Sequence, residues 1–252
     1  MLYNFVKRFS FRCLFYKKII VIAIVVLTVI CTFAIQSVLN FTSKLSINLC
    51  WADLLINAVS PGVFGLFVVP VSLYITSSTC SCDLHPSMAV QYHSRRSIWS
   101  NQIALIMIAQ IFWTLLIFLI TIIGGMVFKL PLVNWTDTAS FYYYFQKSTI
   151  EIPFQIVAMY SIIYSYLFLS VLNFVFLFLY WSFNRPIICW LVSLVILVNE
   201  AYGVPVFRNF LSINYSIWSN LTVFWINISA TVFLIGLVVL SGWIIGSKKE
   251  FV

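Results

Sequence analysis

The run IALIMIAQIFWTLLIFLITIIGGMVF, residues 103–128, contains no charged side chain and decides the class of fold. A hydrocarbon core about 30 Å thick needs roughly 20 apolar residues at about 1.5 Å per residue, and this run is longer than that. The rest of the chain is similar, since its 252 residues are 63% hydrophobic and only 8% charged. Soluble domains carry about 25% charged residues, so the sequence predicts an integral membrane protein.

Further apolar runs on either side of this one, free of charge except for Glu200, predict six transmembrane helices in an all-α polytopic protein. Their bounds are Ile19–Leu39, Pro61–Ser78, Ile103–Phe128, Pro153–Trp181, Pro186–Tyr202 and Leu221–Ile245. The fifth run is the shortest, and Glu200 lies near its end. A tilted or re-entrant fifth segment, and a total of five spans, therefore stay open.

The loop lysines and arginines predict the orientation, because basic segments are retained on the cytoplasmic side. With six spans, the fourteen basic residues divide into ten on one side and four on the other. The ten are Lys7, Arg8, Arg12, Lys17, Lys18, Arg95, Arg96, Arg185, Lys248 and Lys249; the four are Lys44, Lys129, Lys147 and Arg208. We expect both termini in the cytoplasm. The amino-acid composition of the chain, which is biased toward Ile, Phe, Asn and Lys, suggests a bacterial protein.

The sequence predicts two regions, a segment of residues 1–18 and a six-span transmembrane domain of residues 19–252. The first region, MLYNFVKRFSFRCLFYKK, precedes the first span. Their apolar residues recur at helical spacing, with most basic residues on other faces. This pattern predicts an amphipathic helix lying in the membrane surface. The alternative is a basic tail with no fixed structure.

The longest interior connection is the predicted first cytoplasmic loop, Thr79–Asn101, which has room for a helix of its own. His85 and Pro86 can start that helix, since proline is tolerated in a first helical turn. Tyr92 and Trp99 offer apolar contact. Arg95 and Arg96 offer bidentate donors to acidic groups of a partner. Alternatively, the two arginines only anchor the third span at the anionic inner leaflet.

Three exterior segments, Asn40–Ser60, Lys129–Ile152 and Gly203–Asn220, are rich in aromatic and small polar residues. Such segments fit short interfacial helices or partly re-entrant caps. For the individual Tyr and Trp residues, an ordinary aromatic belt between hydrocarbon and water is the preferred interpretation.

The sequence lacks the motifs of several function classes. It contains no G-x-x-x-x-G-K-[ST] and no H-E-x-x-H, so it predicts neither an ATPase nor a zinc hydrolase in this chain. No C-x-x-C pair marks a structural metal site. The basic residues form short clusters at span ends, which excludes a nucleic-acid interface. The predicted spans are also nearly free of the charges that ion-coupled transporters use, and Glu200, the one candidate, lies near an exterior boundary where contact with headgroups or Arg208 is the preferred interpretation.

These features together resemble one family, the membrane subunits of type-2 ATP-binding cassette exporters. The similarity covers the amphipathic start, the six spans with both ends inside and the long first cytoplasmic loop. In that family this loop carries a coupling helix that docks on the ATPase, and the matching residues are Asp83–Trp99, DLHPSMAVQYHSRRSIW. The acidic residues common at the start of such loops are reduced here to Asp83.

The resemblance implies a function and a set of partners. The chain would export an amphipathic substrate such as a peptide, an antimicrobial, a drug or a lipid, while a separate subunit binds and hydrolyses ATP. A second copy or a homologous subunit would complete the pathway in the plasma membrane. The implied ATPase-coupling residues are Asp83, His85, Tyr92, Arg95, Arg96 and Trp99, and no catalytic, cofactor or metal residue is expected. The alternatives are a substrate-binding subunit of a vitamin or metal importer, and a membrane immunity or scaffold protein.

Overall fold

The computed structural model describes most of the chain. The described residues are 35–59, 64, 65, 68–84, 92, 94–183, 185–202, 215, 218 and 221–248, with scattered positions between 21 and 33. The predicted surface helix of residues 1–18 lies outside them. So do His85 and residues 249–252.

The described chain is helical, and it contains no strand. Residues 35–45 are helical and precede seven bounded helices. These are α1 (Trp51–Ala58), α2 (Val69–Leu84), α3 (Arg95–Val127), α4 (Phe141–Gln146), α5 (Phe154–Phe183), α6 (Pro186–Tyr202) and α7 (Leu221–Lys248).

Three of the described helices are long and apolar enough to cross a membrane: Arg95–Val127, Phe154–Phe183 and Thr222–Ile245. They coincide with the predicted third, fourth and sixth spans, and they support a membrane protein. The shorter α6 has 17 residues, or about 26 Å at about 1.5 Å per residue, which is less than a bilayer core of about 30 Å. The described parts of the predicted first and second spans are likewise shorter, so the count of six stays a prediction.

Two helices reach into the predicted cytoplasmic loop Thr79–Asn101. Helix α2 continues to Leu84, and α3 already begins at Arg95, so residues 85–94 lie between them. Ser94 starts α3 because its side-chain oxygen accepts the backbone N–H of Ser97 at 3.2 Å. Hydropathy marks only the apolar part of a helix, and it therefore misses polar turns that extend beyond the hydrocarbon.

Helix α5 is the centre of the bundle and packs against α1, α2, α3, α6 and α7. Within the apolar membrane-spanning stretch of α5, 67% is buried inside the bundle, compared with 17% for the corresponding stretch of α7. A helix that is apolar all round is suited to such a central position, whereas the outward face of α7 is suited to lipid. The position of α5 fixes which helices can exchange polar contacts.

Polar side chains in the core join α2, α3 and α5. Asn173 of α5 accepts the hydroxyl of Thr76 at 2.6 Å and donates to Ser72 Oγ at 2.7 Å. Ser170 donates to Gln110 Oε1 of α3 at 2.7 Å. Apolar packing alone gives little orientation in lipid, so such interhelical bonds hold the three helices in register.

Candidate functional site

The predicted coupling residues gather at one end of the bundle, which we call the arginine end. It comprises the last turn of α2, the first turns of α3 and the last turns of α5 and α7. Contacts of Trp99 with Trp181 of α5 and Gly242 of α7 place three of these helix ends together, and a bond of 3.2 Å between the hydroxyls of Ser81 and Tyr180 adds α2. Five of the six predicted coupling residues are described there.

Asp83 and Tyr92 connect α2 to α3. The phenol of Tyr92 donates to Asp83 Oδ1 at 3.1 Å, and Asn101 Nδ2 of α3 donates to the Tyr92 oxygen at 3.0 Å. Asp83 is fully buried and Tyr92 is 8% exposed. A buried carboxyl needs such donors, because an unpaired one would carry a large desolvation cost. Tyr92 therefore joins α2 to α3.

Trp99 connects α3 to α5 and α7. Its indole N–H donates to the Val239 carbonyl at 3.2 Å, and its ring meets Trp181 edge to face at a centroid distance of 5.6 Å. A Cβ built on Gly242 would overlap the Trp99 ring, so only glycine allows this approach of α7. The ring is 1% exposed.

The two arginines have different surroundings. Arg96 is exposed, and its guanidinium lies 4.5 Å from the ring centroid of Trp243 on α7. Arg95 is half-buried. Tyr92 and Trp99, for which the sequence predicts apolar contact, make that contact inside the chain and are buried, and their role in coupling stays a prediction. Of the predicted coupling residues that are described, Arg96 is the exposed one.

A second site, at the opposite end, was not predicted from the sequence. We call this the aromatic end, and its centre is Asp53 in α1, which is fully buried. Cys50 precedes α1 and forms a capping box with Asp53: its backbone N–H and its thiol donate to Asp53 Oδ2 at 3.0 and 3.1 Å. A carboxylate in the first turn of a helix also faces the positive end of the helix dipole.

Two distant parts of the chain donate to the other oxygen of Asp53. Trp135 Nε1 lies 2.9 Å from Oδ1, and the phenol oxygen of Tyr215 lies 3.1 Å from it. One carboxyl group thus joins the three segments that the sequence analysis placed on the exterior. Backbone bonds reinforce two of them, since Asn48 N–H donates to the Ala139 carbonyl at 2.8 Å and Phe141 N–H donates to the Asn48 carbonyl at 3.2 Å.

Aromatic rings surround this carboxyl group. Trp135 stacks on Tyr142 at a centroid distance of 4.8 Å and lies 5.7 Å from the Trp218 ring. Tyr160 of α5 stacks on Phe224 of α7 at 3.9 Å, which carries the cluster into the bundle. The interpretation as an ordinary aromatic belt is therefore wrong for Trp135, Tyr142 and Trp218, which are at most 2% exposed. It fits Tyr144 and Phe145, which are exposed.

Burial dominates the electrostatics of this site. It raises the pKa of Asp53, although the hydrogen bonds from Cys50, Trp135 and Tyr215 act in the opposite direction. Burial also raises the pKa of the Cys50 thiol and that of the Tyr215 phenol, and the neighbouring Asp53 raises both further. No Lys, Arg or His among the described residues interacts with Asp53.

Within the described residues, no group of three or more His, Cys, Asp or Glu side chains could hold a metal ion. No protein-family model matches the sequence, and no curated protein or solved structure matches it either.

Proposed function

We propose that the chain is the membrane subunit of an ATP-binding cassette exporter for an amphipathic substrate, driven by a separate ATPase subunit. The observation that carries this proposal is that Asp83, Tyr92 and Trp99 join the ends of α2, α3, α5 and α7 to one another at the arginine end. A force applied to the connection between α2 and α3 would be passed to α2 through Asp83 and to α5 and α7 through Trp99. A membrane subunit that does not itself hydrolyse ATP needs such a rigid connection to receive force from its ATPase partner.

The described spans contain no group that would couple transport to an ion gradient. Residues 97–127, 154–183 and 222–245 lack Asp, Glu, Lys and Arg altogether. Proton- and sodium-driven transporters generally use ionisable residues at this depth. The work of transport would therefore come from a partner, as the sequence resemblance implies.

In this proposal the arginine end faces the cytoplasm of a bacterial cell, and Arg96 contacts acidic groups of the ATPase. Six spans, with a second copy or a homologous subunit, form the pathway in the plasma membrane. The substrate is a peptide, an antimicrobial, a drug or a lipid, because residues 97–127, 154–183 and 222–245 offer aromatic and hydroxyl groups and no charges. The chain itself has no enzymatic activity and holds no cofactor.

Co-purification tests the proposal directly. Affinity-tagged chain extracted from its own host should bring down a protein with a Walker motif, and reconstituted vesicles containing both should accumulate a fluorescent amphipathic peptide when ATP is added. The double variant Arg95→Glu/Arg96→Glu should insert normally and retain ATP hydrolysis, yet lose most of the transport. The variant Lys147→Glu, at the aromatic end, is the matched control and should transport normally.

Two results would contradict the proposal. If no ATPase accompanies the chain, a membrane immunity or scaffold protein becomes the better interpretation. If the double arginine variant transports at the normal rate, the arginines act only as a membrane anchor.

A further inference from the structure

The outward side of α2 carries polar side chains in the half that leads to the arginine end. Residues of α2 that are exposed or half-buried recur at helical spacing and share one side of the helix: Val71, Tyr74, Ile75, Ser78, Ser81 and Cys82. We use the name hydroxyl face for four of them, Tyr74, Ser78, Ser81 and Cys82. The opposite side is buried, where Ser72 and Thr76 bond to Asn173 of α5.

Two hydroxyls of this face have no partner among the described residues. Tyr74 is 47% exposed, and neither its phenol nor the Ser78 hydroxyl makes a hydrogen bond there. Ser81 differs, since it donates to the Ser77 carbonyl at 2.9 Å and lies 3.2 Å from the phenol oxygen of Tyr180. A hydroxyl that faces hydrocarbon without a hydrogen bond is costly. Tyr74 and Ser78 are therefore poorly suited to contact with lipid.

The position of Tyr74 along the bundle excludes a simple interfacial role. It lies between Ser72 and Thr76, which both bond to Asn173, and Asn173 is about 15 Å from the end of α5 at Phe183. A helical side chain leans toward the N-terminus of its helix, which for α2 is the end away from the arginines. The phenol of Tyr74 therefore leans farther into the membrane and away from the water at the arginine end.

The outward faces of α3 and α6 show what a lipid-facing surface of this protein looks like. Every exposed side chain within residues 103–127 of α3 is a large apolar one, such as Ile108 and Leu115. The same holds for residues 187–198 of α6, where Leu191 and Val195 are examples. Helices that face lipid have no need of hydroxyl groups on that side. The hydroxyl face of α2 therefore has a different environment.

We propose that the hydroxyl face lies against water and lines the pathway, where it binds uncharged hydrogen-bonding groups of the substrate such as hydroxyls and amides. The inference rests on the proposed function, since it names the part of the pathway that this chain supplies. The face itself carries no charge, because Asp83 is the only charged residue of α2 and is fully buried. Neutral donors and acceptors are the groups that such a surface recognises.

Cysteine accessibility in membranes of the host cell tests the proposal. Tyr74→Cys and Ser78→Cys, each in a Cys82→Ser background, are treated with a charged, water-soluble methanethiosulfonate reagent. Because the reagent attacks the thiolate, which forms only in contact with water, both variants should react at least about tenfold faster than lipid-facing cysteines. Ile108→Cys on α3 and Leu191→Cys on α6 are the matched lipid-facing controls. Mass spectrometry of the modified peptides measures the rates.

Two outcomes of the accessibility experiment would overturn the proposal. If Tyr74→Cys and Ser78→Cys react as slowly as the controls on α3 and α6, lipid covers the hydroxyl face. If they instead form disulfide-linked dimers and stay unmodified, a second copy of the chain covers it. Either result leaves the export proposal standing, because the rates do not depend on ATP.

Transport measurements test the role in the pathway. In vesicles that contain the ATPase, the reagent attached at Ser78→Cys should abolish accumulation of the fluorescent peptide, whereas the same treatment of the Cys82→Ser background should have little effect. Normal accumulation by fully modified Ser78→Cys would show that the hydroxyl face is not part of the pathway. If no ATPase accompanies the chain, the reaction rates still decide whether the face lies against water.

Discussion

The two ends of this bundle solve the same problem, joining helices at the edge of the membrane, in different ways. At the arginine end the contacts are mostly between helix turns. Trp99 packs closely against α7, and the charged Arg96 is exposed beside Trp243. At the aromatic end the contacts come from loops and short helices that converge on one buried carboxyl group. Both ends contain a buried carboxyl group, but the arginine end also depends on the close fit of Trp99 against Gly242. At the aromatic end, the three separate segments depend on the one carboxyl group of Asp53.

The largest effect is expected when that polar group is removed. Asp53→Ala leaves the donors of Cys50, Trp135 and Tyr215 buried without an acceptor, and we expect a loss of about 3–5 kcal/mol in the free energy of unfolding. Denaturation in mixed micelles, followed by tryptophan fluorescence, measures this. Asp137→Ala is the control and should change the stability little. Equal effects of the two variants would show that Asp53 has no special role.

The next effect tests shape at the arginine end. A methyl group added at Gly242 would overlap the Trp99 ring, so Gly242→Ala should cost about 1–3 kcal/mol of stability. Gly236→Ala is a matched control on the same helix, because a Cβ there meets nothing within 4 Å. If both alanine variants unfold at the same denaturant concentration, the contact between Trp99 and α7 is not close.

A smaller effect is expected between the two ends, where polar bonds hold α2 against α5. Asn173→Ala removes the bonds to Ser72 and Thr76, and interhelical bonds of this kind contribute about 0.6 kcal/mol on average and up to about 1.7 kcal/mol. The same denaturation experiment measures it. A double-mutant cycle with Thr76→Val should show coupling, while a cycle with Gly242→Ala should be additive.

The sequence could predict the apolar spans but not how they end. The run at residues 103–128 identifies most of α3, because length and hydropathy are local properties. The first two turns of α3, beginning at Arg95, escaped prediction because they are polar and their helical start depends on the Ser94 cap. For the same reason the predicted second span ends at Ser78, whereas the helix continues through the polar residue Asp83 to Leu84.

The site at the aromatic end was out of reach for a different reason. A local signal existed, since Asp53 follows Cys50 by three residues at the start of an apolar helix, as in a capping box. Its other partners lie 82 and 162 residues away, and no period or spacing connects Trp135 or Tyr215 to it. An acidic residue in a chain with only six acidic residues is the clue that could have drawn attention to it.

The smallest effect concerns the exposed part of the arginine end. Arg96→Ala removes the guanidinium over the Trp243 ring, and an exposed cation–π contact contributes only about 0.5–1 kcal/mol. Arg96→Lys keeps the charge but loses the planar stacking, so it should recover part of this stability. Thermal unfolding in nanodiscs measures both variants. A large loss of stability in Arg96→Ala would mean that this arginine supports the fold, whereas the expected small loss leaves its charge available for a partner at the surface.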